Sequence, residues 1–291
     1  MLKTLVTMSL AAGIFTGTLG TALADEKPPV KIGWAAWSDA EFVTKLAAKL
    51  IKDELGQEVQ LVQTDVAPLY QGVSRGDIDV MMMAWLPETH ADYFAKVKDK
   101  VTTLGTVYDG AKLGWVVPAY VPQDAISSIE DLKKDDVKAK LKGRIDGIDP
   151  GAGLTRLSEK AVKDYALDDY KLQISSEAGM LTTVDRAIRK QDWFVATSWS
   201  PHWMFGKYEL RYLADPKGSL GAAEHVDVLA RKDFEVDNPK VAGFLSRMKL
   251  PIGDLEAAMF NAQETSYEKA VDQYITDHPD QVKTWVGDQE G

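Results

Sequence analysis

The stretch VMMMAWLPETHADYF, residues 80–94, contains the clearest indication of the fold. Its first six residues are apolar without interruption, which is typical of a strand buried on both faces of a sheet. Trp85 ends this run, and Pro87 ends the strand because proline has no N–H to donate to a neighbouring strand. His90 follows five residues after the tryptophan. The sequence therefore predicts a buried strand that presents Trp85 and His90 where the chain leaves the sheet.

Strand-like and helix-like segments alternate on both sides of this stretch. The alternation pauses at Pro118 and restarts near Tyr120. Alternating strands and helices favour α/β sheets rich in parallel strands, and two such series favour two lobes. We therefore predict an α/β fold in which residues 25–116 and 213–291 form one lobe and residues 117–212 form the other, joined by two crossovers.

The first long helix is predicted to begin at Ser38. The segment SDAEFVTKLAAKLIKDELG carries apolar residues at helical spacing and ends in Gly56, a residue typical of the position after a helix. Ser38 and Glu41 have the spacing of a capping box, in which each side chain accepts a hydrogen bond from the other residue's backbone N–H. We therefore expect the helix to be capped by its own residues.

The overall charge and the absence of cysteine exclude several classes of function. The chain has 291 residues and a formal net charge of −10, so nucleic acid and anionic membrane surfaces are poor partners. It contains no cysteine, which excludes disulfides, a thiol nucleophile and a lipidated cysteine at a mature N-terminus.

Residues 1–24 have the pattern of a cleavable secretory signal. Lys3 gives a positive start, a short apolar stretch follows, and the small residues ALA at 22–24 precede charged residues. An uncleaved anchor is the alternative, but the apolar stretch is short and rich in Gly and Thr. We expect an exported, monomeric protein of the periplasm that is not inserted in the membrane after cleavage.

Three strand-like segments end in tryptophan, and each is followed directly by a turn or a helix start. These residues are Trp37, Trp85 and Trp199. Ligands of open α/β sheets bind at the carboxyl ends of strands, so the three indoles are expected to converge on a cleft between the lobes. Indole faces attract quaternary ammonium groups, which predicts a cation cage. Core packing of each tryptophan and stacking on a sugar are the alternatives, although these motifs supply few side chains for sugar hydroxyls.

A zwitterionic ligand would also need partners for a carboxylate. The segment DPGAGLTR places Gly151 and Gly153 at the predicted start of a helix, where exposed N–H groups attract anions. A plain tight turn is the alternative for this glycine pair. His90 could donate to the same carboxylate from its ring, although taken alone it would be read as a surface or capping residue.

Four motifs in this order resemble the glycine-betaine-binding proteins of ABC importers: VAPLYQGVSRGDIDV, AWLPETH, GIDPGAGL and TSWSPHWMF. The resemblance extends over essentially the whole chain after residue 24. It implies a two-lobe periplasmic-binding-protein fold of type II that closes on its ligand. It also implies two partners, a quaternary amine and the permease and ATPase complex of an ABC transporter.

The resemblance implies roles for individual residues. Three of them match the aromatic prism that surrounds the trimethylammonium group in the family: Trp37, Trp85 and Trp199. Three others match the carboxylate contacts of the family, two through backbone amides and one through its ring: Gly153, Leu154 and His90.

The identity of the quaternary amine is left open by the sequence. The choline-binding branch of the same family lacks the histidine of AWLPETH, so His90 favours a ligand with a carboxylate, such as glycine betaine. Asp39 matches an acidic position of the choline-binding branch, and is alternatively an acid in the first turn of a helix. Carnitine, proline betaine and choline remain candidates, because a methyl or hydroxyl group changes little in an aromatic cage.

A secreted enzyme is the competing class of function. Ser198, Ser200 and His202 are available, but the chain has no G-x-S-x-G or H-E-x-x-H motif. Its four histidines are scattered singly, so no metal site is predicted. We therefore expect no catalytic residue and no cofactor, and we interpret His202 as structural.

Overall fold

The computed structural model describes residues 27–287. The predicted signal, residues 1–24, lies outside the described residues. The strands are β1 Val30–Trp34, β2 Val59–Gln63, β3 Val80–Leu86, β4 Val101–Pro118, β5 Arg144–Asp146, β6 Lys171–Gln173, β7 Ala196–Ser200, β8 Leu210–Tyr212 and β9 Glu224–Arg231. The helices are α1 Ser38–Leu55, α2 Val66–Arg75, α3 Ala91–Val97, α4 Asp135–Leu141, α5 Gly153–Asp164, α6 Glu177–Lys190, α7 Met204–Lys207, α8 Phe234–Asp237, α9 Pro239–Arg247, α10 Ile252–Glu264, α11 Tyr267–Asp277 and α12 Pro279–Val286.

The strands form two groups that share β4. Strands β2, β1 and β3 are parallel, and β9 joins β3 to β4 by antiparallel pairing. Strands β6, β5 and β7 are also parallel, and β7 and β8 pair with β4 in antiparallel fashion. We call the group with β1, β2, β3 and β9 the first lobe and the group with β5 to β8 the second lobe. The predicted two-lobe α/β architecture is therefore present.

Strand β4 is one crossover between the lobes, and the segment between β8 and β9 is the other. The pairing of β4 changes from β9 at Ala111 to β7 at Lys112, a few residues before the predicted boundary at residues 116–117. The assignment of residues 25–116, 117–212 and 213–291 to lobes remains a prediction.

Each lobe packs around apolar side chains that match its sequence pattern. In the first lobe every residue of β3 is buried, as the uninterrupted apolar run predicts. Helices α9 to α12 pack against α1 and complete this lobe. In the second lobe a separate apolar cluster includes Trp115, Tyr165 and Val195. These two cores hold the carboxyl ends of the parallel strands towards one another.

Two local predictions at the start of α1 are wrong. Strand β1 ends at Trp34, so Trp37 is not at the strand end itself but is the residue before α1. Ser38 is the first residue of the helix, and the residue before it provides no side-chain cap. The Ser38 hydroxyl donates to Glu177 instead of forming a capping box with Glu41.

Candidate ligand-binding site

A small cavity, partly open to solvent, lies where the two lobes meet. Both lobes contribute to its lining, which consists of Trp37, Asp39, Trp85, Thr89, His90, Leu113, Ile148, Ala152, Gly153, Leu154 and Trp199. All seven residues that the sequence identified as site candidates are in this lining. The structure therefore brings together side chains from segments that are far apart in the chain.

Carboxylates of the opposite lobe hold the indole N–H groups of two tryptophans. Trp37, just before α1, donates from Nε1 to Asp149 Oδ2 at 3.0 Å. Trp199, on β7, donates from Nε1 to Asp39 Oδ1 at 3.0 Å. Each bond joins residues of different lobes, so the orientation of both rings depends on contact between the lobes.

Trp85 is supported by a tyrosine that also contacts Asp39. The Trp85 ring, at the end of β3, meets the ring of Tyr108 of β4 edge-on, with centroids 6.2 Å apart and planes at 80°. The Tyr108 hydroxyl donates to Asp39 Oδ2 at 2.7 Å. One oxygen of Asp39 thus accepts from the Trp199 indole, and the other accepts from the residue that supports Trp85.

The position of Asp39 is compatible with both alternatives that the sequence left open. It lies in the first turn of α1 and is buried, and it also lines the cavity. Burial raises the pKa of the Asp39 carboxyl, and the charge of Glu177 acts in the same direction, while the hydrogen bond from Tyr108 opposes the shift. A carboxylate in such a place is stabilised by a cation, so this end of the cavity favours positive charge.

His90 is a neutral hydrogen-bond donor at the edge of the cavity. Burial, assisted by the positive charge of Arg156, lowers the pKa of His90 to about 3. The Trp85 backbone N–H donates to His90 Nδ1 at 3.2 Å, and the backbone N–H of His90 donates to the Trp85 carbonyl at 2.9 Å. Because Nδ1 accepts a hydrogen bond, the neutral ring carries its proton on Nε2.

Gly153 begins α5 at a point where two backbones nearly touch. A Cβ atom on Gly153 would lie 2.1 Å from the Thr89 carbonyl oxygen and 2.6 Å from Thr89 Cγ2. Only glycine permits this approach of the second lobe to the loop after β3. The first N–H groups of α5, including those of Gly153 and Leu154, lack intrahelical acceptors and form a region of positive potential at the cavity.

The loop that carries His90 is held from both lobes. Glu224 of β9 accepts from the N–H groups of Glu88 and Thr89 at 2.6 and 2.9 Å and from the Thr89 hydroxyl. Arg156 of α5 donates from Nη2 to the carbonyls of Glu88 and Thr89 at 3.0 and 3.3 Å. At this end of the cavity, hydrogen bonds to the backbone of the loop after β3 therefore join the two lobes.

Several residues of the site were not identified from the sequence. Asp149 lies in the glycine-rich motif, two residues before Gly151, and this position could have indicated that it lies near the cavity. Tyr108, Thr89 and Glu224 carry no such signal, because their roles depend on partners distant in the chain. His202, interpreted as structural, is buried and contacts Glu177 instead of the cavity.

Two kinds of feature are absent from residues 27–287. In this part of the chain no helix combines the length and apolarity needed to cross a bilayer. The same residues contain no group of three or more His, Cys, Asp or Glu side chains arranged to hold a metal ion.

Comparison with known proteins identified a family and a curated relative. A family model described as the substrate binding domain of ABC-type glycine betaine transport systems matches residues 28–277. The glycine betaine/carnitine transport binding protein GbuC of Listeria monocytogenes is 36% identical over 159 residues, which cover 54% of this chain and 53% of GbuC. The match thus spans about half the length of that relative.

Solved structures show the same fold. Lactococcal OpuAC in its closed conformation with glycine betaine superposes with a TM-score of 0.82 at 36% identity, over 89% of this chain and 99% of OpuAC. An ABC-transporter choline binding protein in complex with choline has a TM-score of 0.79 at 26% identity, over 89% of this chain and 91% of that protein. These similarities confirm the two-lobe fold of periplasmic binding proteins.

Proposed function

Because the chain belongs to the family of substrate-binding domains of ABC-type glycine betaine transport systems, we propose that it binds glycine betaine or a related trimethylammonium zwitterion in the cavity between its lobes. The family consists of transport components and not of enzymes. The observation that carries the proposal is that one cavity is lined by three indoles, by a neutral histidine and by a helix N-terminus.

The cation end of the ligand would lie among Trp37, Trp85 and Trp199. A desolvated cation over an indole face gains about 2 kcal/mol, so three faces contribute about 6 kcal/mol of the roughly 8 kcal/mol that a micromolar dissociation constant represents. The buried carboxylate of Asp39 adds attraction for the same charge. A neutral sugar could only donate hydroxyl hydrogen bonds to this carboxylate, and both of its oxygens already accept from Trp199 and Tyr108. A cation also gains from the charge, which favours the cation over a sugar as the ligand.

The carboxylate end of the ligand would lie between His90 and the start of α5. His90 carries its proton on Nε2 and stays neutral over the physiological range of pH, so it can donate without first losing or gaining a proton. The amides of Gly153 and Leu154 stand at the positive end of a helix of 12 residues. Donors of both kinds at one end of the cavity suit a carboxylate.

We further propose a route for the ligand. The signal-like pattern of residues 1–24 supports export to the periplasm, where the protein acts as a monomer. Closure of the two lobes, hinged at β4 and at the segment between β8 and β9, traps the ligand. The closed form then delivers it to the permease and ATPase complex of an ABC transporter, for osmoprotection or catabolism.

Choline or carnitine is the second candidate ligand, and one observation favours choline. Asp39 lines the cation end with a carboxylate, and a choline binding protein shares the fold at 26% identity. Choline has no carboxylate, however, and would leave His90 and the α5 amides without an anionic partner. We therefore rank glycine betaine above choline.

Titration calorimetry with glycine betaine, carnitine, proline betaine and choline tests the proposal. We expect glycine betaine to bind with a micromolar or lower dissociation constant and choline to bind more weakly. Trp85→Ala should weaken binding at least tenfold. Trp193→Ala, at a half-buried position outside the cavity lining, should leave binding unchanged. Absence of binding to all four amines would refute the proposed function, and an unchanged affinity of the Trp85 variant would remove that residue from the cage.

A further inference from the structure

The N-terminus of α1 is not capped by its own residues. Trp37 provides no side-chain acceptor, and the Ser38 hydroxyl donates away from the helix. The first N–H groups of a helix have no intrahelical acceptor, and leaving them unpaired in a buried place is unfavourable. α1 carries Asp39 in its first turn and follows Trp37 directly, so its N-terminus also positions two residues of the proposed cage.

Glu177 of the second lobe supplies the missing cap. Its Oε2 accepts from the Ser38 backbone N–H at 3.0 Å, and its Oε1 accepts from the Ser38 hydroxyl. Glu177 is the first residue of α6, so its carboxylate lies between the positive ends of α6 and α1. Only 5% of the residue is exposed, so water competes little for these hydrogen bonds. We call the contact between Glu177 and Ser38 the cross-cleft cap.

The cross-cleft cap is linked to the wall of the cage by His202 and Trp203. The Met204 N–H donates to His202 Nδ1 at 3.0 Å, which leaves Nε2 to donate to Glu177 Oε1 at 3.1 Å. The Trp203 indole donates to the Ser38 hydroxyl at 3.1 Å. The His202 ring in turn meets the Trp199 ring edge-on at 4.5 Å between centroids. His202 of the same lobe thus holds the Glu177 carboxylate in place, and the carboxylate bonds to α1 of the first lobe.

We propose that Glu177 is a positioning residue that couples assembly of the ligand cage to closure of the lobes. The inference rests on the proposed function. When the lobes separate, water replaces Glu177 at Ser38, and the first turn of α1 loses its partner. When they close, a buried carboxylate completes the helix and fixes Trp37 and Asp39 around the ligand. Glu177 is not among the residues that line the cavity. It therefore acts on the cage through α1 and, by its charge, on the buried carboxylate of Asp39.

The test compares Glu177→Gln with wild-type protein, using glycine betaine as the probe. The variant keeps the shape of the side chain but removes its charge, and charged hydrogen bonds contribute more than neutral ones, so we expect the dissociation constant to rise about tenfold or more. Stopped-flow tryptophan fluorescence should assign most of this rise to faster ligand release, because the cap forms after the ligand enters. The melting temperature of the ligand-free protein should stay near the wild-type value, while the increase on adding ligand becomes smaller.

Two further variants make the test specific. Ser38→Ala removes the partner hydroxyl and should weaken binding in the same direction, and combining it with Glu177→Gln should add less than the sum of the two effects. Glu41→Gln is the matched control, because Glu41 is in the same turn of α1 but pairs with Lys45 of its own helix. Its dissociation constant should equal that of the wild-type protein.

The outcomes separate the inference from the function on which it rests. Lack of glycine betaine binding by the wild-type protein would refute the proposed function, and the inference with it. Normal binding by wild type together with unchanged affinity and release rate in Glu177→Gln would overturn the inference alone. An equal fall in the melting temperature of the free and bound forms would also overturn it, since that result describes a purely structural residue.

Discussion

Gly153→Ala tests whether close approach of the two lobes limits ligand binding. The backbone of Gly153 does not have the positive φ that favours glycine, so alanine is compatible with its conformation. The obstacle is space, because the new Cβ would lie 2.1 Å from the Thr89 oxygen and 2.9 Å from the Thr89 carbonyl carbon. Both are backbone atoms, and they cannot rotate away as the end of a flexible side chain can.

The size of the effect follows from this overlap. The lobes must separate by about 1 Å at this point to restore an ordinary contact distance. Overpacking of this kind costs about 1–3 kcal/mol, which corresponds to a rise of about 5- to 150-fold in the dissociation constant. The closed form bears this cost and the open form does not, so the ligand-free protein should melt near the wild-type temperature.

Calorimetry with glycine betaine, together with melting of the ligand-free protein, measures both quantities. Gly151→Ala is the matched control in the same turn, because its Cβ would meet only Tyr93 Oη and Val66 Cγ1, both at 3.9 Å. We expect this control to bind within about twofold of wild type, a difference smaller than the ±0.5 kcal/mol typical of surface substitutions. Wild-type affinity in Gly153→Ala, or an equal loss in Gly151→Ala, would refute the reasoning from backbone contact.

Three other predictions concern the two ends of the cavity. His90→Asn retains an acceptor for the Trp85 N–H but removes the Nε2 donor. Calorimetry should therefore show binding of glycine betaine that is weaker by about tenfold or more, with the affinity for choline little changed. Equal losses of affinity for both ligands would contradict this role of His90. Burial raises the pKa of Asp39 and a bound cation would lower it again, so affinity should be full above the pKa of the ligand-free carboxyl and fall as the pH drops through it. His90 has a pKa of about 3 and stays neutral, so it does not add to this pH dependence. Dissociation constants measured from about pH 8 to about pH 4 should therefore depend on pH in wild type and much less in Asp39→Asn. Identical pH profiles of the two proteins would contradict this role of Asp39. Glu224→Ala leaves buried N–H groups without an acceptor, so urea unfolding of the ligand-free protein should show a loss of about 1–3 kcal/mol; an unchanged midpoint would show that water satisfies them.

Local patterns were sufficient to predict the elements that present the site. The apolar run of β3 and the turn after it place Trp85 and His90 near each other, because only five residues separate them. The glycine-rich turn before α5 is likewise a local feature, and the helix does begin at Gly153. Alternation of strands and helices predicted two lobes with parallel strands. These features follow from the periodicity and turn chemistry of consecutive residues, which sequence carries directly.

The start of α1 marks where this reasoning ends. Ser38 and Glu41 have the spacing of a capping box, yet the cap comes from Glu177, which is 139 residues away from Ser38. Asp39 likewise orients Trp199 across 160 residues. A local pattern states which groups need a partner, but it cannot state which of several partners comes closest when two lobes meet. The sequence by itself thus determined the strands, the turns and the types of side chain at the cavity, whereas the tertiary structure alone decided how carboxylates of one lobe hold the other, because those hydrogen bonds exist only where distant segments are packed together.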